Sequence, residues 1–224
     1  MIRRDYILRM IEEFVRALAR INAAKQKQSW DQARQEIEQE LKQLFGGSFE
    51  QIENSSETEI LGRLIETDPA FVVKEKAAFL ATLLKEAGDV ALGKGDLDRA
   101  RALYLKGFNL LLGLLNRGDI YEIPEYSPNV DSFLQVLGDA PFPLNTLANL
   151  MQHFERIGDF ARAENVLFEM AETNDFAGEL RRFGISFYDR LLARTDEQLV
   201  SGGLPRAEVE SGRAEFKTLV EKQS

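Results

Sequence analysis

The side chains of this 224-residue sequence that could perform acid–base or metal chemistry are chiefly 37 Asp and Glu residues and one histidine, and no recognised motif groups them. The single histidine, His153, would need an orienting acid and a nucleophile nearby to act as a catalytic base. Asp96 and Asp98 resemble the start of a cation-binding loop, but the remaining ligands of an EF-hand do not follow. Gly93-Lys94-Gly95-Asp96 lacks the spacing of a phosphate-binding loop. We therefore interpret His153 as a residue at a core boundary and 93–98 as a turn.

Composition excludes several classes of function. The chain has no cysteine, so it carries neither disulfides nor a thiolate nucleophile, and one histidine cannot form a multi-histidine metal site within a chain. A net charge of −9 argues against a broad nucleic-acid-binding surface. No apolar run approaches the roughly 20 residues that a membrane helix needs. We expect a cytoplasmic protein that is not an enzyme, holds no cofactor and has no nucleic-acid partner.

The elements that position these side chains are predicted to be helices throughout. Apolar residues recur at spacings of three and four, whereas no convincing stretch alternates with period two. In the first helix this apolar stripe comprises Ile7, Met10, Ile11, Phe14, Leu18 and Ile21. A second helix from Trp30 to about Phe45 ends at Gly46-Gly47, and the short link predicts an antiparallel hairpin. Further helices are predicted at about 73–92, 97–115, 129–137, 144–157, 160–173 and 177–194.

A short pattern occurs twice in the chain. Gly95-Asp96-Leu97-Asp98-Arg99-Ala100 matches Gly158-Asp159-Phe160-Ala161-Arg162-Ala163, with apolar or small residues at the same offsets upstream. This pattern resembles the tetratricopeptide repeat, in which two helices pack around a Gly-Asp turn. The resemblance implies an all-α, irregular, tetratricopeptide-like right-handed helical repeat (an α-α superhelix) preceded by the N-terminal hairpin.

The repeat pattern also assigns roles to small residues and caps. We expect Gly88 and Gly184, like Ala100 and Ala163, to lie where two helices approach closely. Gly95 and Gly158 would adopt positive φ in the inter-helix turns. Asp96 and Asp159 would cap the helices that follow.

A third copy of the first-helix pattern, Leu180, Phe183, Gly184 and Phe187, lacks the Gly-Asp turn. We therefore predict an N-terminal region over 1–70, repeats over 71–194 with a proline-rich insert at 118–143, and a C-terminal helix over 195–224. The opening Met1-Ile2-Arg3-Arg4-Asp5-Tyr6-Ile7-Leu8-Arg9 resembles the start of an uncharacterised bacterial protein family with no assigned activity.

The tetratricopeptide resemblance implies a peptide-binding groove lined by the first helices of the repeats. Lys85, Asn149 and Arg182 match positions that grip a C-terminal carboxylate in some of these proteins, whereas Asp89 and Gly178 depart from that clamp. A less specific peptide groove is therefore favoured. Its candidate residues are Leu84, Lys85, Asp89, Asn149, Gln152 and Arg182.

The segment Asp119–Pro128 combines aromatic, acidic and proline residues. It could occupy the groove as a built-in ligand or present a surface to a partner. The alternative that we favour is a linker that packs Ile120, Ile123 and Tyr126 on the nearest helices.

Charge is distributed unevenly along the chain. Residues 1–28 carry a net charge of +4 and the remainder −13. The basic stripe of the first helix (Arg9, Arg16, Arg20 and Lys27) is interpreted as a solvated face. One alternative is that it meets the acidic 31–68 segment, in the same chain or in a second copy. Contact with an anionic membrane surface or an acidic partner is less favoured.

Binding of a protein or peptide partner, without catalysis, is the function that these patterns favour. The alternatives are a self-associating structural module and a small-molecule binder or enzyme that uses acids in a helical pocket. In the self-associating module, a homodimer forms through helix 1 or the 178–194 stripe of Leu180, Phe183, Phe187 and Leu191.

Overall fold

The computed structural model describes residues 2–117, 122–173 and 177–222, and regular structure in these ranges is entirely helical. The all-α prediction is therefore confirmed. The chain forms two compact units, Met1–Ala140 and Pro141–Ser224. The first contains α1 (Ile2–Gln26), α2 (Trp30–Phe45), α3 (Phe49–Asn54), α4 (Glu57–Thr67), α5 (Ala70–Gly93), α6 (Leu97–Leu115) and α7 (Val130–Leu137). The second contains α8 (Leu144–Ile157), α9 (Phe160–Thr173), α10 (Ala177–Leu192), α11 (Asp196–Ser201) and α12 (Arg206–Lys222).

The two Gly-Asp turns have the predicted local structure. Gly95 and Gly158 both adopt φ of +81°, which glycine tolerates without strain. The carboxylate of Asp96 accepts a hydrogen bond from the backbone N–H of Arg99 at 3.2 Å, at the start of α6. Asp159 does the same for Arg162 at 3.3 Å, at the start of α9. The repeated sequence thus encodes two similarly capped helix–turn–helix pairs, α5–α6 and α8–α9.

In the first unit, α5 is the central helix, and α1, α2, α4 and α6 pack around it. The rings of Phe14 on α1 and Phe79 on α5 stack with centroids 4.0 Å apart. The pair α5–α6 approaches closely at Gly88, where an added Cβ would stand 2.3 Å from Cε1 of Tyr104. This close approach confirms the role predicted for Gly88, with an aromatic ring filling the space that the glycine leaves.

In the second unit, α10 pairs with α12, and α8 with α9. Gly184 lies at the α10–α12 contact, where an added Cβ would stand 2.2 Å from Cε1 of Phe216. The third repeat-like copy therefore does have a helical partner, although no Gly-Asp turn joins the two. Instead the chain leaves α10 at Leu192, two residues before the predicted end, and α11 intervenes.

Burial corrects one predicted interface. The 178–194 stripe was expected to be available for a homodimer, yet Leu180, Phe187 and Leu191 are buried within the second unit and Phe183 is half-buried. Because α12 and α9 pack against α10, this stripe belongs to the unit's own core. Of the two surfaces predicted for a homodimer, only that of α1 remains a candidate.

The observed units also differ from the predicted boundaries near residues 70 and 194. The N-terminal hairpin α1–α2 packs directly on α5, so it belongs with the first repeat-like pair. The C-terminal helix α12 packs on α10, so it belongs with the second unit. Local patterning predicted the helices, but the division of the chain depends on these contacts between distant segments.

Candidate functional site

The six predicted groove residues divide equally between the two units. Leu84, Lys85 and Asp89 lie on α5 in the first unit. Asn149 and Gln152 lie on α8, and Arg182 lies on α10, in the second. Each set is therefore described within its own unit.

Leu84 does not line an open groove. Its side chain is fully buried, because the face of α5 that carries it is enclosed by neighbouring helices. The sequence pattern predicted that Leu84 would contact a bound peptide, whereas in the structure it contacts the protein's own core. Leu84 is therefore a packing residue.

Lys85 and Asp89 belong to a network of charged side chains that joins α1 to α5. Lys25 of α1 donates hydrogen bonds to Oε2 of Glu86 at 2.5 Å and to Oδ2 of Asp89 at 2.6 Å. Lys85 also donates to Oδ2 of Asp89, at 3.4 Å. The hydroxyl of Tyr104, from α6, donates to Oδ1 of the same carboxylate at 2.8 Å. Both oxygens of Asp89 are thus engaged within the protein.

The electrostatics of this network favour the charged forms of Asp89 and Lys25. Burial works to raise the pKa of Asp89, but the hydrogen bond from Lys25 and the charge of Lys85 outweigh it, so the pKa is lowered. Burial likewise opposes the charged form of Lys25, whereas Glu86 and Asp89 raise its pKa overall. Burial and the bond to Asp89 raise the pKa of the Tyr104 hydroxyl. The network therefore ties three helices together with matched charges at neutral pH.

The sequence did not identify Lys25, Glu86 or Tyr104 as members of this network. Lys25 follows the buried stripe of α1, and Glu86 comes soon after the mostly apolar run 77–84 of α5. An acid so close to a buried run is a usable signal, because a buried carboxylate needs a partner. The identity of that partner, 61 residues away, could not be read from spacing.

The basic stripe of α1 meets acidic side chains of its own chain. Arg20 donates to Glu36 at 2.7 Å and to Glu40 at 3.3 Å, both on α2. The predicted contact with the 31–68 segment is thereby confirmed at Arg20. Arg9 and Arg16 instead donate to backbone carbonyls of α1 itself.

Tyr126 and Ser127 of the proline-rich insert pack against α1 and α5 within the first unit. The ring of Tyr126 lies 5.6 Å from those of Phe14 and Phe79. The hydroxyls of Ser127 and Thr82 are hydrogen-bonded at 3.0 Å. The predicted packing of Tyr126 is confirmed, and Ile123 is half-buried. Ile120, like residues 118–121 as a whole, lies outside the described residues.

The second unit presents its predicted groove residues differently. Gln152 and Arg182 are exposed, and Asn149 is half-buried. The helices that carry them are joined by Arg190 of α10, whose guanidinium donates to both oxygens of Glu155 on α8 at 2.6 and 2.7 Å. Such a two-point bond fixes the relative orientation of its partners better than a single contact does.

Arg182 differs from its neighbour on α10. Arg181 donates to Glu221 of α12 at 2.7 Å, whereas Arg182 makes no ion pair with any residue that the structure describes.

His153 of α8 is buried, and its ring lies 5.7 Å from that of Phe154. The boundary interpretation of His153 is consistent with this packing.

Neither a metal cluster nor a membrane span is found over the described ranges. No three His, Asp or Glu side chains there converge in a way that could hold a metal ion. No helix in those ranges is long and apolar enough to cross a bilayer.

Comparison with protein-family models gives one match. The model of a family of unknown function, DUF6483, matches residues 1–221. The chain belongs to this family. The match confirms the resemblance of the N-terminal sequence to an uncharacterised family, and it spans both units rather than the N-terminus alone. Searches of curated proteins and of solved structures found no match.

In this DUF6483 member, Leu84 of α5 is buried, and Lys85 and Asp89 of α5 are engaged in internal ion pairs. In the second unit, by contrast, Gln152 of α8 and Arg182 of α10 are exposed to solvent.

Proposed function

We propose that the protein is a non-catalytic adaptor that binds an acidic peptide segment through the exposed faces of α8 and α10. The observation that carries this proposal is Arg182, an exposed guanidinium without an ion pair among the described residues. Nearly every other arginine of α8–α12 for which contacts are described has an acidic partner. A cation left without one is available to an external carboxylate.

The chemistry of this face suits an extended acidic peptide. A guanidinium binds a carboxylate through two parallel hydrogen bonds. The amide of Gln152 both donates and accepts hydrogen bonds, which is the requirement for pairing with a peptide backbone. Asn149 is the third position, half-buried at the edge of the same helix.

The repeat-like architecture supports the same proposal. We interpret α5–α6, α8–α9 and α10–α12 as irregular tetratricopeptide-like pairs, in which first helices provide the binding face. In the first pair, α1 covers that face through Lys25. Binding is therefore assigned to the second unit alone.

Selection from a random peptide library displayed on phage tests the proposal. Wild-type protein should enrich peptides rich in Asp and Glu, and Arg182→Glu should lose that enrichment. Lys217→Glu is the matched control, because Lys217 is an exposed cation on α12 in the same unit. Equal enrichment by wild type and Arg182→Glu would refute the assignment to this face.

A second candidate, self-association through α1, is favoured by one observation. Tyr6, Leu8 and Val15 have exposed fractions between 43% and 47%, and Leu8 and Val15 lie seven residues apart on one face. Multi-angle light scattering over a hundredfold concentration range tests it. A dimer that Val15→Glu converts to monomer would support association through this face, and a monomer at all concentrations would exclude it.

A further inference from the structure

Three clefts of the first unit differ in whether an acidic residue is part of their lining. In the cleft between α2 and α5, Lys76 pairs with Asp68 at 2.6 Å. In a second cleft, Arg99 pairs with Glu53 at 2.8 Å. The third cleft, between α4, α5 and α6, has a volume of about 260 Å³, and no acidic residue is among the described residues that line it.

The walls of this third cleft are apolar and partly open to water. Leu61 and Ile65 contribute from α4, Val73 from α5 and Leu114 from α6. Ile65 is 59% exposed, which is high for a large aliphatic side chain that faces other apolar groups. Covering this wall would remove apolar surface from water and is therefore favourable.

A glycine keeps the cleft open. An added Cβ at Gly113 would be 3.9 Å from Cδ1 of Leu61, an ordinary van der Waals distance, with nothing else closer. A larger side chain at this position would extend into the cleft. The space is thus present because α6 carries no side chain at this turn.

Two cations stand at the rim. Lys74 of α5 and Arg117, two residues beyond the end of α6, are the charged residues of the described lining, and both are exposed. Neither makes an ion pair within the described ranges 2–117, 122–173 and 177–222. An apolar slot with two cations at its rim is complementary to a molecule with one apolar chain and one anionic end.

We propose that this cleft binds a free medium-chain fatty carboxylate, with the hydrocarbon chain between α4, α5 and α6 and the carboxylate at Arg117 and Lys74. The arginine supplies a planar pair of donors for the carboxylate, and the lysine adds a second positive charge. The apolar lining excludes water from the chain. This site lies in the first unit and does not depend on the peptide-binding face proposed for the second.

Isothermal titration calorimetry of the whole chain with decanoate tests the charge complementarity. Decanol and decyltrimethylammonium have the same chain with a neutral and a cationic end. Saturable one-to-one binding of decanoate, with affinity about tenfold or more above either analogue, is the expected result. Equal binding of all three would overturn the proposal, because it would show that the rim cations do not act. Retention on anionic phosphatidylglycerol vesicles without binding of free decanoate would also overturn it.

Substitutions at the rim cations and at Gly113 test where the ligand binds. Lys74→Glu/Arg117→Glu should weaken decanoate binding about tenfold or more. Lys27→Glu/Lys217→Glu changes the net charge equally at exposed lysines outside the cleft and should leave affinity within about twofold. Gly113→Leu should abolish binding while raising the melting temperature, because leucine is the better helix former and fills the space.

The two sets of variants test the carboxylate end and the hydrocarbon chain of the ligand separately. Unchanged affinity in Lys74→Glu/Arg117→Glu, with the fold intact by circular dichroism, would refute the assignment of the carboxylate end. Unchanged affinity in a folded Gly113→Leu would refute the assignment of the chain.

Discussion

Replacing Lys25 with methionine removes the central cation of the network that joins α1 to α5. Methionine keeps most of the unbranched hydrocarbon but donates no hydrogen bond. Glu86 and Asp89 then lose the donor that stands 2.5 and 2.6 Å from their carboxylates. The remaining partners of Asp89 are Lys85 and the hydroxyl of Tyr104.

The magnitude follows from the burial of the three side chains. Removing one partner from a fully buried ion pair costs about 3–5 kcal/mol. Here the side chains of Lys25, Glu86 and Asp89 are 18%, 12% and 23% exposed, so water reaches the carboxylates that remain. We therefore expect a loss of about 2–3 kcal/mol, below the fully buried range. For a chain of this size that loss lowers the melting temperature by about 4–12 °C.

The effect should depend on pH in a defined way. The pKa of Asp89 is lowered in the folded state, so its contribution is present above its unfolded pKa and is lost as pH falls through the folded value. The pKa of Lys25 is raised, so its contribution is present below its unfolded pKa and is lost as pH rises through the folded value. The difference in stability between wild type and Lys25→Met should therefore be widest between about pH 5 and 10.

Urea unfolding followed by circular dichroism, at several pH values, measures this difference. Lys27→Met is the matched control, since Lys27 is exposed two residues further along. It should change stability by less than about 0.5 kcal/mol. A loss below about 1 kcal/mol in Lys25→Met at pH 7, or a loss equal to that of the control, would refute the inference that this network holds α1 on α5.

Three further substitutions test local packing by the same urea unfolding. Gly88→Ala should cost about 1–3 kcal/mol, because its Cβ would stand 2.3 Å from Tyr104; an unchanged midpoint would contradict this. Tyr188→Phe should cost about 1–3 kcal/mol at pH 7, because Glu164 loses a donor at 2.7 Å; the cost should shrink at acidic pH, where Glu164 is protonated. Gly62→Ala should stabilise by about 0.5–1 kcal/mol, because nothing lies within 4 Å of its added Cβ; a destabilised variant would refute an open helix surface there.

Helices and turns were largely predictable because their determinants are local. The bounds of α6 and α8 follow from apolar spacing, from Asp96 as a cap and from Gly158 as a stop. The capping box of Ser56 and Glu59, also visible in the sequence, begins α4. Each of these signals lies within a few residues of the structure that it determines.

The candidate site was less predictable because its accessibility depends on distant segments. Lys85 and Asp89 have the spacing of groove residues, yet their surroundings are set by Lys25, more than 60 residues earlier in the chain. Arg182 and Arg181 are adjacent and chemically identical, but only Arg181 has an acidic partner on α12. The spacing of residues predicts which of them share a helix face, but it does not predict which distant segment covers that face.

The most direct test of the proposed function is the affinity of an acidic peptide, selected by the wild-type protein, for three purified variants. Fluorescence anisotropy with the labelled peptide should show binding to wild type and to Lys217→Glu within about twofold of each other. Arg182→Glu should bind about tenfold or more weakly, since one two-point guanidinium–carboxylate bond is replaced by repulsion. Equal affinity of wild type and Arg182→Glu, with both proteins folded, would contradict the proposal that α8 and α10 form the binding face.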